Sequence, residues 1–281
     1  MPHFTLTYFM KNNIIKISLL FLTIIFYNSY GQNKVFKYDF NYKPNPSKDS
    51  VIIEKTILDI KDGKLSIFRT EQERRSDSLK ALNGFGLGNK MRFEDQFYII
   101  KDLSDSKVLR SFKTIFSEIF FVKINEKLNW IILSEKSKIG TFEVQKAKVK
   151  YGGRDWTAWF TTEIPIQEGP YVFNGLPGLI IKISDDNKNF EFYLTQINNL
   201  NGDIYYRAKG TTITWEQFQK LSLDYYSDPL ARIKAMGVPI KVDDGKGNAI
   251  TPNLKKKTDQ MKKSIQDNNN PIELNHKIDY K

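Results

Sequence analysis

The sequence contains no cysteine and only two histidines among its 281 residues. The missing thiols exclude disulfide bonds, thiolate nucleophiles, iron–sulfur clusters and cysteine-ligated zinc. His3 and His276 stand at opposite ends of the chain, so neither a histidine-rich metal site nor a serine–histidine–aspartate triad is expected. We therefore predict no metal, no cofactor and no catalytic residue.

Acidic residues are scarce relative to basic ones. The sequence has 43 Lys and Arg against 32 Asp and Glu, and its formal net charge is +11. Aromatic side chains make up 14% of the residues, which favours β-strands and argues against a disordered protein. The length is sufficient to bury a large hydrophobic core.

The first 31 residues have the pattern of a secretory signal peptide. Lys11 and Lys16 precede an apolar run of 11 residues at 17–27. The small residues Ser29 and Gly31 follow the run, just before Gln32. A transmembrane helix needs about 20 apolar residues, so this run is too short to remain as an anchor. We predict cleavage between Gly31 and Gln32, a periplasmic or secreted location, no transmembrane span in the mature protein and no nucleic acid partner.

Short strand signals recur along most of the chain, with turn residues between them. No alternation of strands and long helices is visible, which argues against a parallel sheet. The predicted fold is mainly β, a β-rich α+β protein built on an antiparallel, curved sheet. The predicted strands lie at residues 35–42, 51–60, 64–69, 97–101, 108–112, 119–124, 130–133, 142–151, 156–161, 179–184 and 190–197.

One or two short helices are expected to pack near residues 214–236. Apolar residues at helical spacing, from Trp215 to Tyr225, follow a potential N-cap at Thr214. After Pro239 the chain becomes polar and basic. We predict a β-rich domain at 32–240 and a loosely held basic tail at 241–281, with a candidate edge strand at 271–274. The tail lysines either keep it in solvent or bind anionic lipid.

Residues 151–183 carry a cluster of short motifs, including a complete Gly-Leu-Pro-Gly-Leu-Ile hexapeptide at 175–180. The pattern resembles the GLPGLI family of exported Bacteroidetes proteins of unknown function. The resemblance implies an exported, mostly β protein and supplies no catalytic residues. The matching flanks are Gly153 and Arg154, residues 158–160, residues 164–166, Gly169 and Pro170, and a late segment at 270–274.

Glycines and prolines between residues 165 and 178 predict either an ordered crossover that covers the sheet or a loop that faces a ligand. Pro177 followed by Gly178 predicts a type II turn with positive φ at the glycine. The apolar triplet at 179–181 predicts a strand buried on both faces. The structural motif comprises Gly169, Pro170, Gly175, Leu176, Pro177, Gly178, Leu179 and Ile180.

Arg154 is the strongest candidate binding residue. Beside Trp156 and Trp159, its guanidinium can hold a carboxylate or phosphate or stack on an indole, or it can pair with a nearby acidic side chain. Asp185 and Asp186 predict a solvated turn. The candidate ligand- or partner-binding residues are Arg154, Trp156, Trp159, Glu163 and Glu168.

Three functions fit these features. The leading hypothesis is a non-enzymatic envelope protein that binds an apolar ligand, a lipid, a peptide, or a periplasmic or outer-membrane protein. The second is a hydrolase that uses a carboxylate pair such as Glu163 and Glu168. The third is a structural module of an outer-membrane complex that binds through an edge strand. An apolar pocket with few carboxylates favours the first.

Overall fold

β-Strands provide most of the regular structure. The computed structural model of the protein describes residues 33–88, 90, 92–237, 241–243, 245 and 247–281, and the predicted signal peptide at 1–31 lies outside them. Within this described part, twelve strands form one large sheet. The strands are β1 Lys34–Tyr42, β2 Ile52–Lys61, β3 Leu65–Thr70, β4 Tyr98–Asp102, β5 Lys107–Lys113, β6 Ile119–Ile124, β7 Ile131–Ile139, β8 Phe142–Tyr151, β9 Arg154–Thr161, β10 Leu179–Asp185, β11 Phe190–Asn199 and β12 Thr211–Ile213.

The helices are short, and none in the described residues is long and apolar enough to cross a membrane. They are α1 Glu71–Asn83, α2 Trp215–Ser227, α3 Ala231–Ala235 and α4 Leu254–Asp267; the hairpin β13 Val242–Asp243 and β14 Ala249–Ile250 and a 3-10 turn at Leu274–His276 complete the regular structure of the described residues. Thr214 is the N-cap of α2: its side chain accepts from the backbone N–H of Gln217, and the Gln217 side chain accepts from Thr214 N. α2 and α3 confirm the helices predicted near residues 214–236.

Two antiparallel meanders meet at the centre of the sheet. The strand order is β12-β6-β5-β4-β3-β2-β1-β11-β10-β9-β8-β7, so β1 joins the meander β1–β6 to the meander β7–β11. All neighbours are antiparallel except β12 and β6. The sheet is open, with β12 and β7 as its edges. The prediction of a mainly β, largely antiparallel fold is confirmed.

One face of the sheet carries the main aromatic core. In β1, the alternating side chains of Phe36, Tyr38 and Phe40 are fully buried on this face. Phe40 stacks on Phe192 of β11 with ring centroids 4.2 Å apart. The segment at 162–178 that joins β9 to β10, here called the crossover, packs on the same face. The crossover therefore covers the sheet, as one of the two interpretations of its glycines and prolines expects.

On the face of the sheet opposite the aromatic core, buried ion pairs hold α1 and the segment around Arg207 in place. Arg69 of β3 donates to Asp59 at 3.0 Å and to Asp77 of α1 at 2.7 Å. Arg207, which follows β11, donates to Glu73 of α1 at 3.0 Å. Because a buried charge is costly without its partner, these pairs fix α1 and the segment around Arg207 against the sheet.

The C-terminal residues are not a loosely held tail. α4 buries Ile265 in the cluster that contains Phe218 of α2. Residues 270–281, here called the strap, bury Ile272 and Ile278 to 1% and 2% exposure. Ile265, Ile272, Ile278 and Tyr280 each enter a core cluster, which composition alone does not reveal.

The candidate edge strand at 271–274 is also absent from the structure. Instead of joining a β ladder, the backbone of this segment bonds to groups near the start of β9. The N–H of Leu274 donates to the carbonyl oxygen of Gly152 at 2.6 Å. A Cβ on Gly152 would lie 2.9 Å from the carbonyl oxygen of Ile272, so this close approach requires glycine.

Candidate ligand-binding site

Arg154 holds the strap in place and is 6% exposed. Its guanidinium donates to the carbonyl oxygens of Ile272 at 3.0 Å and Pro271 at 2.7 Å, and to Asn270 Oδ1 at 2.7 Å. It also donates to Asp185 Oδ2 at 3.1 Å. The acidic partner of Arg154 is therefore Asp185, 31 positions along the chain. With its donors occupied inside the protein, Arg154 is a structural clamp.

Asp185 is buried at 1% exposure, so the prediction of a solvated turn is wrong for this residue. Its carboxylate accepts from Arg154 and, at 2.7 Å, from the backbone N–H of Phe190. Asp186 is exposed and accepts from Thr157 Oγ1 at 2.9 Å. The two neighbours differ because Asp185 is the last residue of β10, whereas Asp186 begins the turn that follows.

The other predicted binding residues do not converge on one site. Trp156 is completely buried, and its Nε1 donates to the carbonyl oxygen of Tyr151 at 3.0 Å. Trp159 lies on the opposite face of β9 and is partly buried, with Lys146 Nζ 5.5 Å from its ring centroid. Glu163 is exposed and accepts from the backbone N–H of Glu143 at 2.9 Å.

Within the crossover, Gly178 has a role different from the predicted one. Positive φ occurs at Gly175, at 88°, and Gly178 is not in that conformation. A Cβ on Gly178 would lie 2.0 Å from the carbonyl oxygen of Thr161, so this position requires glycine because two backbones touch. Gly169 is also closely packed, because a Cβ added at this position would lie 2.7 Å from the Ile180 side chain.

The apolar residues of the hexapeptide belong to the core. Leu176, Leu179 and Ile180 are each at most 1% exposed, whereas Pro177 and Gly175 lie at the surface. The register between β9 and β10 shifts after Ile180, at a bulge. The bulge allows three consecutive apolar residues to be buried, as the sequence predicts for 179–181.

Glu168 is the one predicted binding residue that lines a large groove. It is 3% exposed, and its Oε2 lies 2.5 Å from Nζ of Lys101, a β4 residue with no exposed side-chain surface. Ser66 Oγ donates to the same oxygen at 3.0 Å. Lys101 Nζ also donates to the carbonyl oxygen of Gly169 at 3.1 Å. Burial lowers the pKa of Lys101, and the charge of Glu168 opposes that shift.

Sequence reasoning missed Lys101 and Ser66. The available signal was weak: a lysine within the apolar run at 97–101, and a serine within the strand at 64–69. Lys101 and Glu168 are 67 positions apart, and only the packing of the crossover on β4 brings them together. A buried lysine requires a partner of opposite charge, but sequence spacing does not identify that partner.

The groove lies between the crossover and the ends of β4, β5 and β6, and its cavity volume is about 740 Å³. This volume is within the range of small-molecule sites, about 300–1,000 Å³. Trp130 forms part of the wall and donates from Nε1 to the carbonyl oxygen of Asn174 at 2.7 Å. Lys101 and Glu168 are its buried charged lining residues. Its apolar lining consists of Ile60, Val108, Ile124, Leu128, Trp130, Ile166 and Val172, among others.

A hydrogen-bonded cluster lies beside a smaller cavity of about 290 Å³ that shares part of its lining with the groove. Glu273 of the strap is 2% exposed and accepts from Arg110 at 2.9 Å. The hydroxyls of Tyr151 and Tyr171 donate to it at 2.8 and 2.6 Å. Burial and the charge of Glu273 raise the pKa of both tyrosines well above their ordinary value, so both remain neutral donors. Tyr151 lines both cavities.

The carboxylates around the groove already accept hydrogen bonds from the protein. Asp102 accepts from Ser104 N at 3.0 Å, and Glu126 accepts from Gly152 N at 3.0 Å. Glu168 is paired with Lys101. The described residues contain no group of three or more histidine or acidic side chains arranged to hold a metal ion.

A family of unknown function matches the segment that contains the crossover. The sequence profile of "Protein of unknown function (Porph_ging)" covers residues 148–182, which include β9, the crossover and the first residues of β10. The matched residues contain the Gly-Leu-Pro-Gly-Leu-Ile hexapeptide. No curated protein sequence matches the chain significantly.

Three solved structures overlap partly with this fold. A structure of PNGF-II in space group P21 has a TM-score of 0.48 and 14% identity, covering 68% of this chain and 33% of that chain. PNGF-II in space group C2 gives the same score, identity and coverage of this chain, with 32% of that chain covered. The match therefore spans about a third of the PNGF-II chain.

The LolA superfamily protein NE2245 from Nitrosomonas europaea is the third of these structures. It has a TM-score of 0.28 and 7% identity, with coverage of 63% of this chain and 91% of that chain. We draw no functional conclusion from similarities at this level.

Proposed function

We propose that this protein is an exported envelope protein that binds an apolar ligand in the groove without transforming it. The observation that supports this function is the groove itself, a cavity of about 740 Å³ with largely aliphatic and aromatic walls and one buried charge pair. Each methylene that leaves water contributes about 0.8 kcal/mol, so eight methylenes supply about 6 kcal/mol before ordering costs.

Binding can be measured with the fluorescent apolar probe N-phenyl-1-naphthylamine. Leu128 is partly buried in the groove wall, and Leu128→Arg should weaken probe binding at least about tenfold by placing a charge in the apolar site. Leu82→Arg is the matched control, because Leu82 is 68% exposed and lies in α1, away from the groove. Absence of probe binding to the wild type, or equal binding by both variants, would contradict the proposal.

Export is the second part of the proposal and has its own test. The signal-peptide pattern predicts a mature protein that begins at Gln32. Fractionation of the native cells followed by N-terminal sequencing should find that residue first. Recovery from the cytoplasm with residues 1–31 retained would refute export and leave the groove to be judged by ligand binding alone.

The edge strand β7 supports a second candidate function, docking of a partner strand. β7 has a sheet neighbour on one side only, and Ile131 and Ile132 are 64% and 46% exposed. An extended partner segment can pair with such an edge. Native mass spectrometry of protein from its own compartment should then show a retained polypeptide that Ile131→Lys removes. A protein that carries only a small molecule would support the groove function instead.

A further inference from the structure

One wall of the groove is the segment 125–130, which joins β6 to β7 and has no regular secondary structure. Residues 125–127 and Asn129 are exposed, and Leu128 is partly buried. Within the described part of the chain, this segment forms no backbone–backbone hydrogen bond. A segment with an exposed and unbonded backbone opens at a lower free-energy cost than the strands beside it.

Side chains provide the attachments of this segment. Trp130 Nε1 donates to the carbonyl oxygen of Asn174 at 2.7 Å. Glu126 Oε1 accepts from the backbone N–H of Gly152 at 3.0 Å. Leu128 packs against the edge of the aromatic core. Because these attachments are side-chain contacts, the segment can leave the groove without breaking a strand or a helix.

The strand that follows the segment holds it weakly. β7 is an edge strand, and its ladder with β8 begins with two residue pairs, at Ile131 and Ile132, before the register shifts. A shift of this kind locally disrupts the ladder. The first residues of β7 therefore offer little resistance to movement of the segment.

The Trp130 hydrogen bond joins the two walls of the groove, because Asn174 belongs to the crossover. Across the described residues, it is the one hydrogen bond between the segment 125–130 and the crossover. Both residues line the groove. A single neutral hydrogen bond contributes modestly to stability, enough to shift an opening equilibrium several-fold without preventing opening.

We propose that residues 125–130 form a lid that opens to admit the ligand and closes over it, with the hydrogen bond from Trp130 to Asn174 as its latch. This inference rests on the proposed function of the groove and adds the step that controls ligand entry. Entry into a site closed by a lid depends on how often the lid opens. A weaker latch should therefore speed association as well as dissociation.

Lid opening can be measured without any ligand, because the sequence contains no cysteine. Leu128→Cys places a single thiol on the lid at a partly buried position. Addition of Trp130→Phe, which keeps a ring but removes the N–H, should speed the reaction of this thiol with dithionitrobenzoate about fivefold. Leu82→Cys is the matched control, because Leu82 is 68% exposed in α1 and its reaction rate should not respond to Trp130→Phe.

Ligand entry is measured by stopped-flow mixing with N-phenyl-1-naphthylamine. Trp130→Phe should raise the association rate constant of the probe about fivefold. Loss of a wall contact alone acts on dissociation, as Val108→Ala in the groove should show. Trp159→Phe is the matched control, because Trp159 lies on the opposite face of β9 and does not line the groove.

The outcomes separate the lid from the proposed function. If the wild type does not bind the probe, the proposed function is overturned. If the probe binds but Trp130→Phe leaves its association rate constant or the thiol reaction rate unchanged, the lid alone is overturned. Glu126→Ala, which releases the attachment to Gly152, should act in the same direction and decides the matter if Trp130→Phe does not fold. If Leu128→Cys does not fold, the association rate constants decide.

Discussion

Replacement of Glu273 by glutamine tests whether the strap is an integral part of the fold. Glu273 accepts hydrogen bonds from Arg110, Tyr151 and Tyr171, all in the protein interior. Both tyrosines donate to Oε1, which glutamine can retain as an amide oxygen. Arg110 donates to Oε2, the atom that an NH₂ group would replace. The substitution therefore removes the counter-charge of Arg110 and turns one hydrogen bond into an unfavourable meeting of two donors.

The expected loss is large because, of the groups that accept hydrogen bonds from Arg110 in the described part of the chain, only Glu273 is a carboxylate. It donates to the carbonyl oxygens of Glu94 at 3.1 Å and Phe93 at 3.4 Å, and its guanidinium carbon lies 5.4 Å from the ring centroid of Phe218. Removal of one member of a buried ion pair costs about 3–5 kcal/mol in the free energy of unfolding. We expect Glu273→Gln to fall in that range.

The assay is urea denaturation followed by tryptophan fluorescence, with Glu118→Gln as the matched control. Glu118 pairs with Arg232 at the surface, where both side chains are about half exposed. Exposed pairs contribute about 0–1 kcal/mol, so the control should stay close to wild type. If Glu273→Gln also stays within about 1 kcal/mol of wild type, the argument that the strap is held by a buried ion pair is refuted.

Three further predictions concern the crossover, the strap and pH. Gly178→Ala should lower the free energy of unfolding by about 3 kcal/mol or more, because the added Cβ would clash with the carbonyl oxygen of Thr161. Gly175→Ala should lower it by only about 1–2 kcal/mol, because the space around Gly175 is open and the cost comes from its φ of 88°. Equal melting temperatures of the two variants would contradict this prediction. A chain that ends at residue 269 should fail to fold, as judged by circular dichroism, because the strap takes with it Ile272, the carboxylate that pairs with Arg110 and the acceptors at 270–272 that bind Arg154. Burial lowers the pKa of His276 below its ordinary 6.5, so the unfolded chain binds the proton at a higher pH than the folded protein does. The free energy of unfolding should therefore fall as the pH drops through 6.5. The urea midpoint of His276→Gln, measured over the same pH range, should fall less than that of the wild type.

Local sequence patterns predicted the elements of the fold well. The alternation at residues 35–42 predicted a strand, and β1 spans Lys34–Tyr42. The potential N-cap at Thr214 predicted the start of α2. Such features depend on residues only a few positions apart, so they can be read directly from the sequence.

The prediction for Gly178 shows where local reasoning fails. Pro177 and Gly178 form a common turn pair, yet the positive φ lies at Gly175 and Gly178 is required by contact with Thr161. That contact depends on how the crossover returns across the end of β9. A sequence pattern can indicate that glycine is needed, but the tertiary structure supplies the reason.

The sequence by itself determined the period of the strands, the helix caps and the absence of thiol and histidine chemistry, because these follow from residue type and near neighbours. Only the tertiary structure decided that Arg154 clamps the strap, that Lys101 meets Glu168, and that the crossover leaves a groove beside them. Those contacts join residues 67 to 118 positions apart. Their formation depends on strand order and on the path of the crossover, which non-local packing sets and local propensity does not encode.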